Sequence, residues 1–407
     1  MTESPVVSET VLLEGHIVDT SRLPKILDVI VESGAEYEMV ELEIGHTNDD
    51  PSRAVIRLST SSAGAMEALL ERLQIHGVNR LDDADITTAI SEADGVLPAG
   101  FYSTTNLRSE VRIAGVWVPV QDPEMDCAIV VTADGARTTP MHRVRRGDRV
   151  IVGRRGVRVH PLAPAAPGSA FAFMASDVSS EKPSALLVDK VAEQIRTAHR
   201  DGQKVLAVCG PAVVHTGGSG PLAQLVQAGW IDVLFAGNGF ATHDIESNVL
   251  GTSLGVSVSG GGPTEGGHSN HLRVINEVRR HGSIAEAVDG GYVGGGVMYE
   301  CVKKNVPFVL GGSIRDDGPL PDTMTDVVAA ADAMRALVPD VGVALMLATT
   351  LHAIATGNVL PAGVATFCVD INPAVATKLA DRGSHQAIGI VTDVGPFIKD
   401  LLDALAG

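Results

Sequence analysis

The chain has 407 residues, 45% of them hydrophobic, and a formal net charge of −18 from 31 basic and 49 acidic residues. This length and apolar content suffice for two or three domains with sizeable cores. The acidic balance argues against a nucleic-acid partner, because nucleic-acid-binding proteins are normally basic, and it modestly favours a cationic substrate. No apolar stretch is long enough to span a bilayer, and the start of the chain lacks the basic and apolar regions of a signal peptide. We therefore expect a cytoplasmic protein.

The four cysteines support the same location. Cys127, Cys209, Cys301 and Cys368 are far apart in the sequence and form no CxxC pair. This spacing is typical of reduced cytosolic thiols and does not suggest a disulfide framework or a zinc site.

The first segment predicts a small α+β module over residues 1–95. "ETVLLEGHIVD" predicts a strand, and the apolar spacing over residues 20–34 predicts a helix. "YEMVELEIG" and "RAVIRLST" alternate with period two, as half-buried strands do, and residues 62–75 have helical spacing. The resulting βαββα order is typical of a ferredoxin-like module.

Residues 96–165 predict a small β domain, because short alternating runs are broken there by glycine and aspartate. Seven arginines fall between His142 and His160. They can form a patch for phosphate or nucleic acid, but in so acidic a chain a solvated sheet face or an intersubunit ion-pair surface is favoured. The stretch "PLAPAAPGSAFAF" that follows has the composition of a linker.

Residues 184–407 predict a Rossmann-like α/β domain. Six short apolar runs, each ending in glycine or a polar residue, alternate with helical segments: "KVLAVCG", "IDVLFAG", "VPFVLGG", "GVALMLA", "ATFCVD" and "QAIGIVTD". Continuous apolar strands of this kind form parallel sheets covered on both faces. Ligands of such sheets bind beyond the carboxyl ends of the strands, so the residues after each run are the candidate site.

Two glycine-containing segments follow the first two runs. Gly218, Gly220 and Ala223 match G-x-G-x-x-A, which can open a helix towards a phosphate, although an ordinary flexible loop fits equally well. Gly237-Asn238-Gly239 can let the backbone approach a ligand while the asparagine amide binds it. A tight turn with a left-handed asparagine is the alternative.

The stretch "GGGPTEGGHSNH" raises the question of a metal. Glu265, His268 and His271 are close in sequence, but no further ligand lies at a recognisable spacing. We therefore expect this stretch to be free of metal.

Asp370 ends the fifth apolar run and has two interpretations. A carboxylate at the end of a parallel strand can accept two hydrogen bonds from the adjacent hydroxyls of a ribose, and it would repel a 2′-phosphate, which favours NAD over NADP. Alternatively, Asp370 caps the helix that begins at Pro373. Polar residues at the ends of most of the other strands favour the nucleotide.

Long stretches of the chain resemble the LOR/SDH-type family, named after lysine-oxoglutarate reductase and saccharopine dehydrogenase. The resemblance rests on residues 13–58 and on "GFYSTTN", "PEMDCAIVV", "GNGFATHDIE", "GGSIRDDGPLPD", "LATTLHAIATGN", "CVDINPAVATKLADRGS" and "GIVTDVG". These motifs are long and specific, and the match covers nearly the whole chain. The family includes the archaeal-type ornithine cyclodeaminases and the C-terminal half of the cyanobacterial bifunctional arginine dihydrolase/ornithine cyclodeaminases.

The resemblance implies an NAD-dependent ornithine cyclodeaminase, a lyase of arginine and ornithine metabolism that makes proline. The cofactor-binding positions of the family fall here on Asn238, Gly239, Asp317, Thr349, Thr350, Leu351, His352, Asp370, Asp393 and Val394. The chain departs from the family at Gly239, where relatives have alanine, and at Thr350, where they have methionine. Because both positions can bind through the backbone, neither departure removes the cofactor.

The chemistry requires a cation for the substrate α-carboxylate, an acid for its ammonium group and a base for its amines. Arg315 is the candidate clamp for the carboxylate, because a guanidinium binds a carboxylate bidentately. Asp316 or Glu265 can hold the ammonium, and His243 or His268 can move protons. We expect a small basic amino acid as substrate, NAD as cofactor and a homo-oligomeric assembly. The rival hypotheses are an amino-acid or imine dehydrogenase with net turnover of NAD, and a non-catalytic nucleotide or amino-acid sensor.

Overall fold

The computed structural model describes residues 7–18, 22–46, 50–74, 76–81, 84–160, 184–253, 256–257, 269–316, 318–381 and 387–407. The chain divides into two units, residues 1–175 with 360–363 and residues 176–359 with 364–407. None of the helices in the described ranges is both long and apolar enough to cross a membrane.

The first part of unit 1 is a four-stranded antiparallel sheet with two helices. Its elements are β1 (Val7–Gly15), α1 (Arg22–Glu32), β2 (Glu36–Glu43), β3 (Ser52–Thr60), α2 (Ala63–Gln74) and β4 (Asn79–Arg80). The strand order is β2-β3-β1-β4, as in ferredoxin-like folds. Apolar residues of both helices, including Ile26 and Leu69, pack on the inner face of the sheet with Val11, Ile56 and Leu58. The predicted βαββα order is confirmed, and the short β4 completes it.

The second part of unit 1 is a seven-stranded sheet. It contains β5 (Thr87–Ile90), β6 (Ser109–Ile113), β7 (Val116–Gln121), β8 (Ala128–Thr132), β9 (Gly135–Thr139), β10 (Arg149–Val152) and β11 (Val157–Val159), in the order β11-β6-β7-β9-β8-β10-β5. Strand β5 lies before the predicted boundary at residue 95, yet it pairs with β10. The second sheet therefore begins earlier than predicted. Residues 95–100 lie between β5 and β6 of the same sheet.

The arginines between His142 and His160 are largely occupied by acidic side chains of unit 1. Arg154 contacts Glu71 at 2.8 Å, and Arg155 contacts Glu9 at 3.7 Å. The Nε atom of Arg158 donates to Glu110 at 2.6 Å. The Arg158 guanidinium also lies over the Trp117 ring, 4.2 Å from its centroid. These contacts favour the interpretation of the stretch as a sheet face covered by ion pairs, and they argue against a patch for phosphate or nucleic acid.

Unit 2 contains the Rossmann-like domain. Its elements in chain order are α3 (Ser184–Arg200), β12 (Lys204–Cys209), α4 (Ala212–His215), α5 (Ser219–Gln227), β13 (Val233–Gly237), α6 (Asn238–Leu250), β14 (Thr252–Ser253), β15 (Val256–Ser257), α7 (Asn270–His281), α8 (Ile284–Asp289), α9 (Val297–Lys304), β16 (Phe308–Gly311), β17 (Thr323–Met324), α10 (Val327–Leu337), β18 (Val341–Leu347), α11 (Leu351–Val359), β19 (Ala365–Asp370), α12 (Pro373–Asp381), β20 (Ala387–Val391) and α13 (Val394–Ala406).

The main sheet of unit 2 has the order β17-β16-β13-β12-β18-β19-β20, and every pair in it is parallel. All six predicted strands are confirmed, and the short edge strand β17 is additional. The chain runs outwards from β12 through β13 to β16, then returns to β18 and runs the other way. The point where the direction reverses, between β12 and β18, is where doubly wound sheets bind their ligands.

The backbones of the two halves approach closely at this reversal. The amide of Gly210 donates to the carbonyl of Leu347 at 2.9 Å. A Cβ atom on Gly210 would lie 1.9 Å from the carbonyl oxygen of Ala348, so no other residue fits there without a backbone shift. Ala348 has a left-handed backbone with φ of 48°, and its amide donates to Val369 of β19 at 2.9 Å.

The fully buried Asp244 fixes α6 to its neighbours. Its Oδ1 atom accepts a hydrogen bond from the Ser219 hydroxyl of α5, and its Oδ2 atom accepts one from the Met298 amide of α9 at 2.9 Å. Burial raises the pKa of Asp244, although the hydrogen bonds from Ser219, Met298 and Val297 act in the opposite direction. One carboxylate therefore satisfies the first amides of α9 and ties three helices together.

Replacement of Asp244 by alanine should destabilise unit 2 strongly. The change leaves a buried hydroxyl and two buried amides without their acceptor, at a cost of about 3 kcal/mol or more. Asp289→Ala is the matched control, because Asp289 is exposed and, within the described residues, forms one ion pair, with Lys303 at 3.3 Å. Its loss should cost less than about 1 kcal/mol. Thermal unfolding of both variants measures the difference, and equal melting temperatures would contradict the anchoring role.

Candidate active site

The candidate site lies at the carboxyl ends of the strands of unit 2. Helices α6, α11, α12 and α13 each begin within four residues of a strand end. Their N-terminal amides therefore face the same edge of the sheet, which makes this edge favourable for an anionic ligand.

Asp370 does not cap the helix that follows it. Its Oδ1 atom accepts a hydrogen bond from the Asn372 amide at 2.8 Å, and Asn372 in turn caps α12 by accepting from the Ala374 amide at 3.0 Å. The helix-cap interpretation is therefore wrong. Within the described ranges no group donates to the other carboxylate oxygen of Asp370, which leaves it available for a ligand hydroxyl.

The position of Asp370 in the fold matches that of a ribose-binding acid. Strand β18, helix α11 and strand β19 form a βαβ unit, and Asp370 is the last residue of its second strand. Dinucleotide-binding units carry an acidic residue there, about 20 residues after the first strand. Thr349 and Thr350 form the turn into α11. The amide of Ile354 in this helix donates to the Thr350 carbonyl at 3.0 Å. Leu351 is 81% exposed at the first turn of the helix.

His352 fills a space left by two glycines. A Cβ atom on Gly237 would lie 2.9 Å from Cε1 of His352, and one on Gly311 would lie 3.3 Å from its Nε2. The ring therefore packs on the ends of β13 and β16. Burial lowers the pKa of His352, although Asp316 opposes this effect. Its neutral ring acts here as a packing group between the two halves of the sheet.

Asn238 links the start of α6 to the segment before β17. Its Oδ1 atom accepts hydrogen bonds from the Leu320 amide at 2.9 Å and from the Thr323 hydroxyl at 3.2 Å. Gly237 is extended and Asn238 is the first residue of α6, so the alternative of a tight turn with a left-handed asparagine is wrong. Beside it, a Cβ atom on Gly239 would meet only Pro211 Cγ at 3.4 Å, so alanine fits at this position.

Arg315 and Asp316 lie in the segment after β16. The Ser313 amide donates to Oδ2 of Asp316 at 2.7 Å, and the Ser313 hydroxyl accepts from the Arg315 amide at 3.2 Å. The guanidinium of Arg315 is exposed and pairs with no acid of the described chain. Asp317 lies outside the described residues, as do Glu265 and His268.

The start of α13 is the last of the predicted positions. Asp393 caps the helix by accepting from the Gly395 amide at 3.0 Å, and Val394 is buried beneath it. Gly395 packs on the backbone of Thr216, where a Cβ atom would lie 2.3 Å from the Thr216 carbonyl oxygen. Gly218 also has a packing role, since a Cβ atom there would approach Ile398 of α13 at 3.1 Å.

His243 belongs to a polar cluster at the ends of β12 and β13. Its Nδ1 atom lies 3.0 Å from Oε2 of Glu246, which is fully buried. The other oxygen of Glu246 accepts from the Thr252 hydroxyl at 2.8 Å. His215 of α4 is the neighbouring ring, with 5.1 Å between the two centroids, and its Nδ1 atom lies 2.7 Å from the Ser253 hydroxyl.

His243 was predicted from the sequence as a candidate for proton transfer, whereas His215 and Glu246 were not predicted. One signal was present for Glu246, because positions i and i+3 of a helix lie on the same face. No local pattern pointed to His215, which precedes a glycine-rich segment and joins His243 only through the pairing of β12 with β13. Of the three residues considered as metal ligands, Glu265, His268 and His271, the structure describes His271. In the described part of the chain, no group of three or more His, Cys, Asp or Glu residues can hold a metal ion.

Comparison with known proteins assigns the family. Models described as "Arginine dihydrolase ArgZ-like, C-terminal", Rossmann fold and first region, match residues 189–401 and 108–188. A model of the "LOR/SDH bifunctional enzyme conserved region" matches residues 8–107. The chain is 47% identical to an ornithine cyclodeaminase of Methanopyrus kandleri over 400 residues, which cover 98% of this chain and 97% of that protein.

This chain belongs to the ornithine cyclodeaminase family.

Two solved structures extend the comparison. The crystal structure of ArgZ without ligand, a cyanobacterial arginine dihydrolase, superposes with a TM-score of 0.87 at 39% identity and covers all of this chain. The ternary complex of AgrE with ornithine and NAD+ is 41% identical, with a TM-score of 0.54, and covers 98% of this chain. The chain spans 59% and 58% of those two longer proteins, respectively. The predicted membership of the LOR/SDH-type family and the predicted Rossmann-like domain are thus confirmed.

Gly237→Ala should destabilise unit 2 by about 1–3 kcal/mol, because the new methyl group must displace the half-buried ring of His352. Gly239→Ala is the control two residues away, where the methyl group has room, and it should unfold at the wild-type temperature or above. Thermal unfolding compares the two. If Gly237→Ala is as stable as Gly239→Ala, the packing role of His352 is wrong.

Proposed function

We propose that this chain is an NAD-dependent ornithine cyclodeaminase that converts ornithine to proline and ammonia. The observation that carries the proposal is a relative of the same family whose structure holds ornithine and NAD+ together, at 41% identity over nearly the whole of this chain. The acidic net charge suits a cationic substrate.

The residues at the strand ends suit the cofactor. The free oxygen of Asp370, at the end of the second strand of a βαβ unit, can accept hydrogen bonds from the ribose hydroxyls. The N-terminal amides of α11, starting at Leu351 and His352, can face the phosphates. Thr349, Thr350, Asn238, Gly239, Asp317, Asp393 and Val394 complete the proposed set of NAD-binding positions.

When bound, NAD supplies a hydride acceptor for the α-hydrogen of ornithine and then returns the same hydride to the same carbon, so that none is consumed. The protein must orient the substrate and move protons between its two nitrogens. The exposed guanidinium of Arg315 can bind the α-carboxylate, and Asp316 can accept a hydrogen bond from an ammonium group.

His243 is suited to proton transfer. Glu246, when ionised, accepts hydrogen bonds and cannot donate one, so the hydrogen of the neutral His243 ring is on Nδ1. Its Nε2 atom is then the proton acceptor. His243 therefore takes the role of base that the chemistry of ornithine requires.

Asp370→Asn should weaken NAD binding roughly tenfold or more, since hydrogen bonds to charged groups contribute about 1.5–3 kcal/mol. The amide oxygen can still accept from the Asn372 amide, so the local turn is preserved. Asn372→Ala is the control, because it removes the cap of α12 and leaves the carboxylate in place. Calorimetric titration with NAD should give the control nearly wild-type affinity. Equal affinities of Asp370→Asn and wild type would remove Asp370 from the binding site.

Ornithine labelled with deuterium at Cα should give proline that retains the label at Cα. The hydride leaves and returns within one active site, so proline formation should depend on NAD without consuming it. Mass spectrometry of the proline and absorbance at the NADH band test both points. Accumulating NADH would favour the dehydrogenase alternative, and complete loss of the label would contradict internal hydride return. Binding of NAD and ornithine without turnover would favour the sensor.

A further inference from the structure

Two histidine rings lie side by side at the carboxyl ends of neighbouring strands. His215 follows β12 and His243 follows β13, and these strands pair in parallel. The ring centroids are 5.1 Å apart and the ring planes are tilted by 58°. The contact therefore lies at the edge of the sheet where the proposed substrate binds.

Both rings are held through the same nitrogen. Nδ1 of His243 bonds to Glu246, and Nδ1 of His215 bonds to Ser253. Within the described residues, neither Nε2 atom has a hydrogen-bond partner. The anchoring bonds fix the ring orientations, and they leave one nitrogen of each ring for chemistry.

The carboxylate of Glu246 is costly to bury. Its side chain has no solvent exposure, and its oxygens are held by His243 and by Thr252. The Thr252 hydroxyl also accepts a hydrogen bond from the side-chain amide (Nδ2) of Asn270 at 2.9 Å. A buried carboxylate requires such partners, and placing one against a histidine fixes the tautomer and favours the imidazolium when it forms.

The neighbouring ring has a complementary property. Partial burial and the nearby His243 lower the pKa of His215, while Glu246 has the opposite effect. A ring with a lowered pKa is neutral at pH 7 and can accept a proton from an ammonium group.

We propose that His215 and His243 act as one proton-transfer pair in the ornithine reaction, and that Glu246 is the residue that positions His243. The proposal rests on the proposed function. It adds His215 and Glu246 to the residues on which turnover depends.

The step that needs this pair is ring closure. Loss of hydride from the neutral α-amine leaves an iminium. The deprotonated δ-nitrogen of ornithine uses its electron pair to form a bond to the α-iminium carbon, and the π electrons of the iminium move to the α-nitrogen, which becomes a neutral amine. The histidine pair then takes a proton from the δ-nitrogen of the substrate, which is now part of the new five-membered ring, and delivers it to the α-nitrogen. The bond between carbon and the α-nitrogen breaks, ammonia leaves, and the ring nitrogen forms the new double bond. The proton that one histidine takes from the substrate goes back to the substrate, so the histidine pair neither gains nor loses a proton.

Asparagine substitutions test the pair with little disturbance of the fold. Asparagine places an amide near the position of Nδ1, so His215→Asn can keep the bond to Ser253 while it lacks a group at Nε2. His215 is also exposed, which makes the variant safe for folding. His199→Asn is the control, because His199 stacks on Trp230 and bonds to Asp232 near the start of β13, away from the site.

Each of His215→Asn and His243→Asn should lower kcat for proline formation about 100-fold or more, the usual contribution of general acid–base catalysis. The KM for ornithine should stay within about threefold, and NAD affinity should be unchanged. The double variant should be no slower than the slower single variant, because removing either ring disables the pair. The control should retain wild-type kcat.

Glu246→Gln tests the positioning role. It should lower kcat in the wild-type background and have no further effect when His243 is asparagine, since Glu246 acts through that ring. If Glu246→Gln does not fold, His215→Asn at its exposed position still decides whether a pair exists.

The outcomes separate the two proposals. A wild-type protein that makes proline while His215→Asn keeps kcat within twofold overturns the pair alone. Losses that multiply in the double variant also overturn it, because they mean independent roles. A wild-type protein that binds NAD and makes no proline from ornithine overturns the proposed function and the pair with it.

Discussion

The contact between the backbones of Gly210 and Ala348 determines the geometry of the Rossmann unit. A methyl group on Gly210 would overlap the carbonyl oxygen of Ala348, so glycine alone lets β12 and β18 end side by side without a shift. The left-handed backbone of Ala348 costs energy, and its hydrogen bond to Val369 offsets part of that cost. The consequence is that two sets of strand ends meet at one edge, each followed by its own helix.

The two sets carry different kinds of residues. The half formed by β18, β19 and β20 presents Asp370 and the N-termini of α11 and α13, which suit hydroxyls and phosphates. The half formed by β12, β13 and β16 presents His215, His243 and Asp316, which suit proton transfer and a cation. His352 comes from the first half and packs on the glycines of the second. A reaction that transfers a hydride from the substrate to the cofactor and back needs the cofactor and the base at fixed positions relative to each other. Neither the cofactor nor the base alone can complete the cycle.

The main features of the fold could be predicted from the sequence because they depend on local patterns. Six continuous apolar runs became six parallel strands, and the place of Asp370 at the carboxyl end of the sheet followed from its position at the end of one run. The two-residue strand β17 is too short to have a period, and its pairing with β16 is non-local. The same reason applies to β5, whose four residues are assigned to a sheet only by pairing with β10.

The site residues, like the strands, divide into those that a local sequence pattern predicts and those that depend on non-local contacts. His243 could be predicted as a polar residue that follows a strand. His215 can be recognised as a site residue only by its contact with the ring of His243, which lies 28 positions away in the sequence. Glu246 was not predicted, since a sequence pattern does not reveal that most of α6 from Asn238 to Glu246 is buried. The hydrogen bonds of Asp370 show the converse. Its Asp-x-x-Pro pattern suggested a cap, and only the bond from Ala374 to Asn372 assigned the cap to the other residue.

Helix α6 shows how two buried carboxylates two positions apart can serve different purposes. Among the described residues, Asp244 accepts from a hydroxyl and from main-chain amides, none of which changes its protonation near neutral pH, so its contacts are set once on folding. Glu246 instead faces an imidazole, which can carry a positive charge, and its interaction with that ring is stronger when the ring is charged. A carboxylate of the first kind contributes to stability alone, whereas one of the second kind can also stabilise a positive charge that proton transfer places on its partner. The partners of a buried acid, more than its burial, therefore tell a structural carboxylate from a functional one in this fold.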